Sequence, residues 1–102
     1  MRIVAPPRLR EFARVHPDAA KPLEKWYRSA RQAKWQSLQE ARRVFPYADA
    51  VTVASGKTAT VFNIRGNKYR LITAIHYNRQ RVYVLGFLTH AEYSKDKWKD
   101  DL

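Results

Sequence analysis

Residues Ala59–Leu88 read ATVFNI RGN KYRLITAIHY NRQ RVYVLGFL. Three runs rich in β-branched and aromatic residues are separated by two short polar breaks, Arg65-Gly66-Asn67 and Asn78-Arg79-Gln80. That composition predicts strands over Ala59–Ile64, Lys68–Tyr77 and Arg81–Leu88. A parallel connection needs a crossover of a dozen residues or more, so strands joined by breaks this short are antiparallel neighbours. Upstream, Ala50–Ala54 reads as another strand, joined through the turn Ser55-Gly56-Lys57. The second half of the chain is therefore a β-meander.

Before Tyr47 the pattern is helical. Ile3-Val4 is expected to form a short first strand, and Pro6-Pro7 to open a helix, since proline suits a first turn. Leu9, Phe12 and Ala13 follow with i, i+3, i+4 spacing. His16-Pro17 breaks that helix and Pro17-Asp18 opens the next. Its apolar stripe is Ala19, Leu23, Trp26, Tyr27, Ala30 and Ala33, with Arg28, Arg31, Gln32 and Lys34 off it. Trp26 and Tyr27 read as core. Ser37 is placed to cap a short helix, Leu38–Val44, which Pro46 stops. After the meander, Thr89 and Glu92 have capping-box spacing and begin a short C-terminal helix. The expectation is an α+β fold over residues 1–102, with helices on one face of an antiparallel sheet.

Composition narrows the function classes. The 102 residues carry 20 Lys and Arg against 9 Asp and Glu, a net charge of +11, and no cysteine. The lack of cysteine excludes disulfide frameworks and cysteine-based zinc or redox sites. No apolar run approaches a membrane span, and the first residues lack the apolar core of a signal peptide. The expected location is the cytoplasm. Between Ala50 and Ala91 there is no acidic residue, while Lys57, Arg65, Lys68, Arg70, Arg79 and Arg81 fall there. A solvated surface normally mixes both signs, so this distribution implies a polyanionic partner.

Strand parity sorts these charges. Tyr69, Leu71, Thr73, Ile75 and Tyr77 share one face and are expected to meet the helices. Lys68, Arg70, Ile72, Ala74 and His76 share the other, more open face. Val61, Asn63 and Arg65 share one parity on the preceding strand, which brings Asn63 near Arg70. Arg70 beside Lys68 suits phosphate binding. His90 falls in the first turn of the C-terminal helix, with Tyr93 on the same face at i+3. Histidine suits proton transfer near neutral pH. His16, ahead of a proline, and His76, toward the far end of its strand, are weaker candidates. The three histidines form no metal-binding spacing, no glycine-rich phosphate loop exists, and no carboxylate lies in the basic stretch. The expectation is therefore no metal and no cofactor, with RNA as the substrate, because its 2′-hydroxyl supplies the nucleophile.

Two segments carry a resemblance to a known family. Val61–Leu71, VFNIRGNKYRL, and the run from Arg81 to Tyr93, ending in Thr89-His90-Ala91-Glu92-Tyr93, resemble the signatures of HigB-type toxins within the RelE-like mRNA interferases. His16-Pro17-Asp18-Ala19 and the Leu23, Trp26, Tyr27 pattern match that family's amino-terminal half. The resemblance implies a RelE-like fold and the toxin role in a type II toxin–antitoxin system. It also implies mRNA cleavage, usually in the ribosomal A site, and neutralisation by a helix-turn-helix antitoxin of the HigA type. Neither a membrane nor a small-molecule substrate is implied. Arg70 matches the family's Tyr-Arg-Leu arginine, a phosphate and transition-state contact. His90 and Tyr93 match the carboxy-terminal motif. Val61 and Asn63 stand where the RelE branch carries lysines, which makes His90 the candidate for proton transfer, as base or acid. Tyr93 is a second proton-transfer group or a platform for a base. Lys68, Arg65, Asn63 and Lys57 are the RNA-binding candidates.

Two other classes compete with the ribonuclease reading. A non-catalytic RNA- or ribosome-binding module needs the basic face but neither His90 nor Tyr93. A structural or DNA-binding protein lacks support, since no helix reads as a recognition element.

Overall fold

The computed structural model describes residues 1–102. The elements run β1 (Arg2–Val4), α1 (Pro6–Val15), a 3₁₀ turn (Pro17–Ala19), α2 (Ala20–Gln32), α3 (Leu38–Val44), β2 (Asp49–Thr52), β3 (Thr58–Ile64) and β4 (Tyr69–His76). After a 3₁₀ turn over Tyr77–Arg79 come β5 (Arg81–Thr89), α4 (His90–Ser94) and a last 3₁₀ turn over Lys97–Asp101. The architecture is α+β, as the hydrophobic pattern indicates. The five strands form one sheet in the order β1-β5-β4-β3-β2. β2 to β5 are the antiparallel meander, and β1 adds to the free edge of β5 in parallel. No helix is long and apolar enough to cross a membrane.

The helices pack on the face that bears Phe62, Ile64, Tyr69, Leu71, Val82 and Val84. Phe62 is the hub. Its ring centroid lies 5.4 Å from that of Trp26, 5.4 Å from Phe45 and 6.1 Å from Trp35, so one strand residue ties together α2, α3 and the segment between them. Leu23, Trp26 and Ala30 of α2 are buried on the stripe that the 3.6-residue period marks out. The cap Ser37 accepts from the Glu40 amide, which fixes the start of α3.

A bulge breaks the alternation of β5. Ile72 pairs with Gly86, and Thr73 with Val84, leaving Leu85 unpaired. The extra residue reverses parity along the strand. Val82 and Val84 face the helices before it, Phe87 faces them after it, and Leu88, paired with Arg70, turns to the other face.

That other face is less open than its alternation implies. Val53, Ala59, Val61, Ile72 and Trp98 form a second, smaller core there, flanked by Leu85, Leu88 and Tyr93. Trp98 comes from the last 3₁₀ turn, beyond every element that periodicity marks out. The apolar members of β3 and β4 on this side are covered because the chain doubles back across them.

Candidate active site

Arg70, His90 and Tyr93 come together where β4 begins and β5 ends. Arg70 is the second residue of β4, and its partner across the sheet is Leu88. His90 follows two residues later. Thr89 caps α4, its side chain accepting from the Glu92 amide while Glu92 Oε1 accepts from the Thr89 amide, so the capping box is complete. The His90 amide donates to the Lys68 carbonyl at 2.9 Å, which pins the first turn of α4 to the start of β4.

The Arg70 guanidinium is the centre of the site. Nη1 donates to the carbonyls of Asn67 at 3.0 Å and Tyr69 at 3.2 Å. Nη2 donates to Asn67 Oδ1 and lies 3.3 Å from His90 Nδ1. Its carbon lies 5.3 Å from the centroid of the Tyr93 ring. Arg70 is only 8% exposed, and none of the ion pairs in the chain includes it. A guanidinium this buried without a carboxylate keeps its charge available to an incoming anion. His90 itself is exposed.

Tyr93 is half-buried, and burial pushes its hydroxyl above the ordinary phenol range, with the charge of Asp49 acting in the same direction. It stays protonated at neutral pH and can donate. Its ring already stacks on Trp98, centroids 5.3 Å apart at 20°, besides carrying Arg70. That engagement favours a role for the hydroxyl over one for the ring as a platform for a base.

The RNA-binding candidates divide. Asn63 is the cross-strand partner of Arg70, as strand parity suggests, although the guanidinium bonds Asn67, Tyr69 and His90 instead. Lys68 departs from its expected place. It lies in the β3–β4 turn and not in the strand, so parity does not apply, and it does not share a face with Arg70. Its Nζ reaches Asp18 Oδ2 at 2.5 Å, Arg65 Nη1 reaches the same oxygen at 2.7 Å, and the Tyr69 hydroxyl donates to Asp18 Oδ1 at 2.8 Å. The hydrogen bonds from Lys68 and Tyr69 hold the Asp18 carboxyl down at about 2, below its ordinary 3.8, and the same contact raises Lys68. About half of each cationic side chain remains exposed beside the site. Lys57 lies in the β2–β3 turn at the far end of the sheet, in a separate cleft with His76 and Tyr83. Six residues of strand separate that end from the Arg70 end, roughly 20 Å.

Three residues at or beside the site escaped sequence reasoning: Asn67, taken as a turn residue; Asp18, taken as a helix opener; and Trp98. Asn67 holds two of the Arg70 contacts, and only its position three residues before that arginine hinted at it. No group of three or more His, Cys, Asp or Glu side chains converges anywhere in the chain.

A family model described as HigB toxin, RelE-like toxic component of a toxin-antitoxin system, matches residues 19–96. The chain is also similar to the mRNA interferase HigB of Escherichia coli O6:H1, with 30% identity over 95 residues, covering 93% of this chain and 90% of that protein.

Proposed function

The chain belongs to the HigB family of RelE-like toxins of toxin–antitoxin systems, and on that premise we propose that it is an mRNA-cleaving endoribonuclease whose chemistry runs through Arg70, His90 and Tyr93. The observation that carries the assignment of residues is Arg70. It is a buried guanidinium with no carboxylate partner, held 3.3 Å from a histidine and against a tyrosine ring.

In the proposed reaction the 2′-oxygen attacks the adjacent phosphorus and the bond to the 5′-oxygen breaks. His90 accepts the 2′-hydroxyl proton, and Tyr93 gives its proton to the leaving 5′-oxygen. Arg70 binds two phosphate oxygens and offsets the charge that grows on them. The products are a 2′,3′-cyclic phosphate and a 5′-hydroxyl, and the proton on His90 returns to Tyr93 through solvent. Lys68, Arg65 and Asn63 place the RNA beside the site, and Lys57 meets a more distant phosphate. The reaction as written uses no metal and no cofactor.

The family carries an antitoxin partner. We assign that partner to the helix-turn-helix, HigA-like class, the substrate to mRNA on the ribosome, and the site of action to the cytoplasm. The charge of +11 suits association with ribosomal RNA and an electrostatically steered encounter with the antitoxin.

The test is an RNA with a single 2′-deoxy at the cleaved position. It binds and is not cut, while the all-ribose strand is cut in the presence of EDTA. Normal cleavage of the 2′-deoxy strand, or activity only with added magnesium, overturns the mechanism. Tight binding with no cleavage of any RNA, on or off ribosomes, leaves the non-catalytic binding module as the better reading.

A further inference from the structure

The last 3₁₀ turn, Lys97–Asp101, lies outside the family match, which ends at residue 96, yet it reaches the site. Asp96 adopts a left-handed backbone with φ 61° and turns the chain back on itself. The Lys99 amide donates to the Asp96 carbonyl at 3.1 Å, and the Lys99 side chain pairs with Asp96. The Lys99 carbonyl accepts from the Ala54 amide at 3.0 Å, which ties the turn to the chain just past β2. Between these anchors Trp98 inserts under the sheet against Val61 and Ile72, 8% exposed, while Lys97 and Asp100 on either side of the turn stay in solvent.

Trp98 makes two contacts with Tyr93. The rings stack at 5.3 Å and 20°, and the indole N–H donates to the Tyr93 carbonyl at 3.1 Å. These contacts matter because α4 has five residues, barely more than one turn. A helix that short does not hold its own geometry in water. Its start is fixed by the capping box and the Lys68 carbonyl, but Tyr93 is in its last turn, where the Asp96 amide shares the Tyr93 carbonyl at 3.2 Å and Trp98 alone engages both that carbonyl and the ring. The indole also supplies part of the apolar surface that keeps the phenol out of water.

We propose that Trp98 is a positioning residue for RNA cleavage: by stacking on the Tyr93 ring and holding the Tyr93 carbonyl, it aims the Tyr93 hydroxyl at the leaving 5′-oxygen. This rests on the assignment of Tyr93 as proton donor made above. Trp98 touches no substrate, so its effect falls on the chemical step and leaves RNA binding unchanged.

The experiment is single-turnover cleavage with Trp98→Leu and Trp98→Met, two apolar side chains of different shape that remove the ring and leave part of its space empty. Trp98→Phe serves as the conservative rescue. Circular dichroism identifies the variants that are folded at the assay temperature. Misplacing a reacting group by about 1 Å costs up to about a hundredfold in rate, so Trp98→Leu and Trp98→Met are expected to cleave about tenfold to a hundredfold more slowly with unchanged RNA affinity. Trp98→Phe recovers most of that loss. Each substitution is then combined with Tyr93→Phe. If Trp98 acts through the hydroxyl, the losses do not multiply, because nothing is left to aim. Wild-type rates in Trp98→Leu and Trp98→Met, a loss confined to binding, or fully multiplicative losses in the double variants each overturn the proposal while leaving the mechanism standing. A Tyr93→Phe enzyme that cleaves at the wild-type rate removes the underlying assignment, and the proposal with it.

Discussion

Arg70 Nη2 lies 3.3 Å from His90 Nδ1. A guanidinium offers only hydrogens, so a hydrogen bond here requires His90 Nδ1 to accept. In that arrangement the two residues restrain each other without substrate: Arg70 occupies the lone pair that the proposed base would use, and His90 occupies a hydrogen that a phosphate would use. The other bonds of the two Nη groups go to Asn67 and Tyr69. On the proposed mechanism, a phosphate that draws Nη2 away would release His90 Nδ1 in the same movement, coupling binding of the scissile group to arming of the proposed base.

Removing His90 is expected to lower the single-turnover rate about 10² to 10⁴-fold, the usual range for a general acid or base. RNA affinity stays near wild type, because Arg70 and the surrounding cations remain. Cleavage by His90→Ala within about threefold of wild type would move proton transfer to another group.

Arg70 is expected to separate activity from stability. Its charge is buried and has no carboxylate partner, and of the acceptors it leaves, those on Asn67 belong to an exposed turn that water can reach, while the Tyr69 carbonyl, at 3.2 Å, is the one in the interior. Replacing a buried ion pair with apolar side chains of similar volume is often neutral or stabilising, the penalty arising when a partner charge is stranded, and Arg70 has no partner charge to strand. Arg70→Met should thus melt no lower than wild type while losing cleavage. Arg70→Lys should also fail in the chemical step more than in binding, because an ammonium cannot hold two phosphate oxygens in the plane of a fork. Thermal denaturation and single-turnover rates measured on the same preparations decide both points.

Binding of single-stranded RNA is expected to weaken steeply with salt, the logarithmic slope being about −0.7 per phosphate neutralised. Lys68→Ala and Arg65→Ala should each make that slope shallower by about 0.7 without moving the position of cleavage. Lys57→Ala should do so only on RNA long enough to reach from Arg70 to the far end of the sheet. A salt-independent affinity would remove the basic stretch from the interface.

The sequence carries the meander, the helices and the three residues of the site in local signals. Hydrophobic period, short breaks and the capping box at Thr89 bring Arg70, His90 and Tyr93 forward as candidates, and the resemblance to HigB-type motifs is what gives them roles. What stayed hidden was set by tertiary pairing. Leu85 looks like any strand residue, and only its unpaired place opposite Ile72 and Thr73 reveals that parity reverses. Lys68 precedes β4 instead of belonging to it, so counting along the strand assigns it no face. Asp18 and Trp98 act across 50 residues of sequence and from beyond the last periodic element, respectively, and neither distance leaves a local mark.

Asp18 gives the pH dependence. Its folded-state value of about 2 lies below the ordinary 3.8, so between those pH values the unfolded chain binds the proton more readily than the native one. Stability from the Asp18 cluster is therefore complete above about pH 5 and is lost as the pH falls from 4 toward 2. Asp18→Asn should lower the urea midpoint at neutral pH, and the gap from wild type should close over that acid interval. The same substitution releases Lys68 and Arg65 from a shared carboxylate and removes a negative charge beside the site, so RNA affinity should rise at low salt even as the fold weakens. Urea titrations from pH 2 to 7 and RNA binding at two salt concentrations measure the two effects. A gap that stays constant down to pH 2, or an RNA affinity that falls, would mean that Asp18 does not hold these cations in solution.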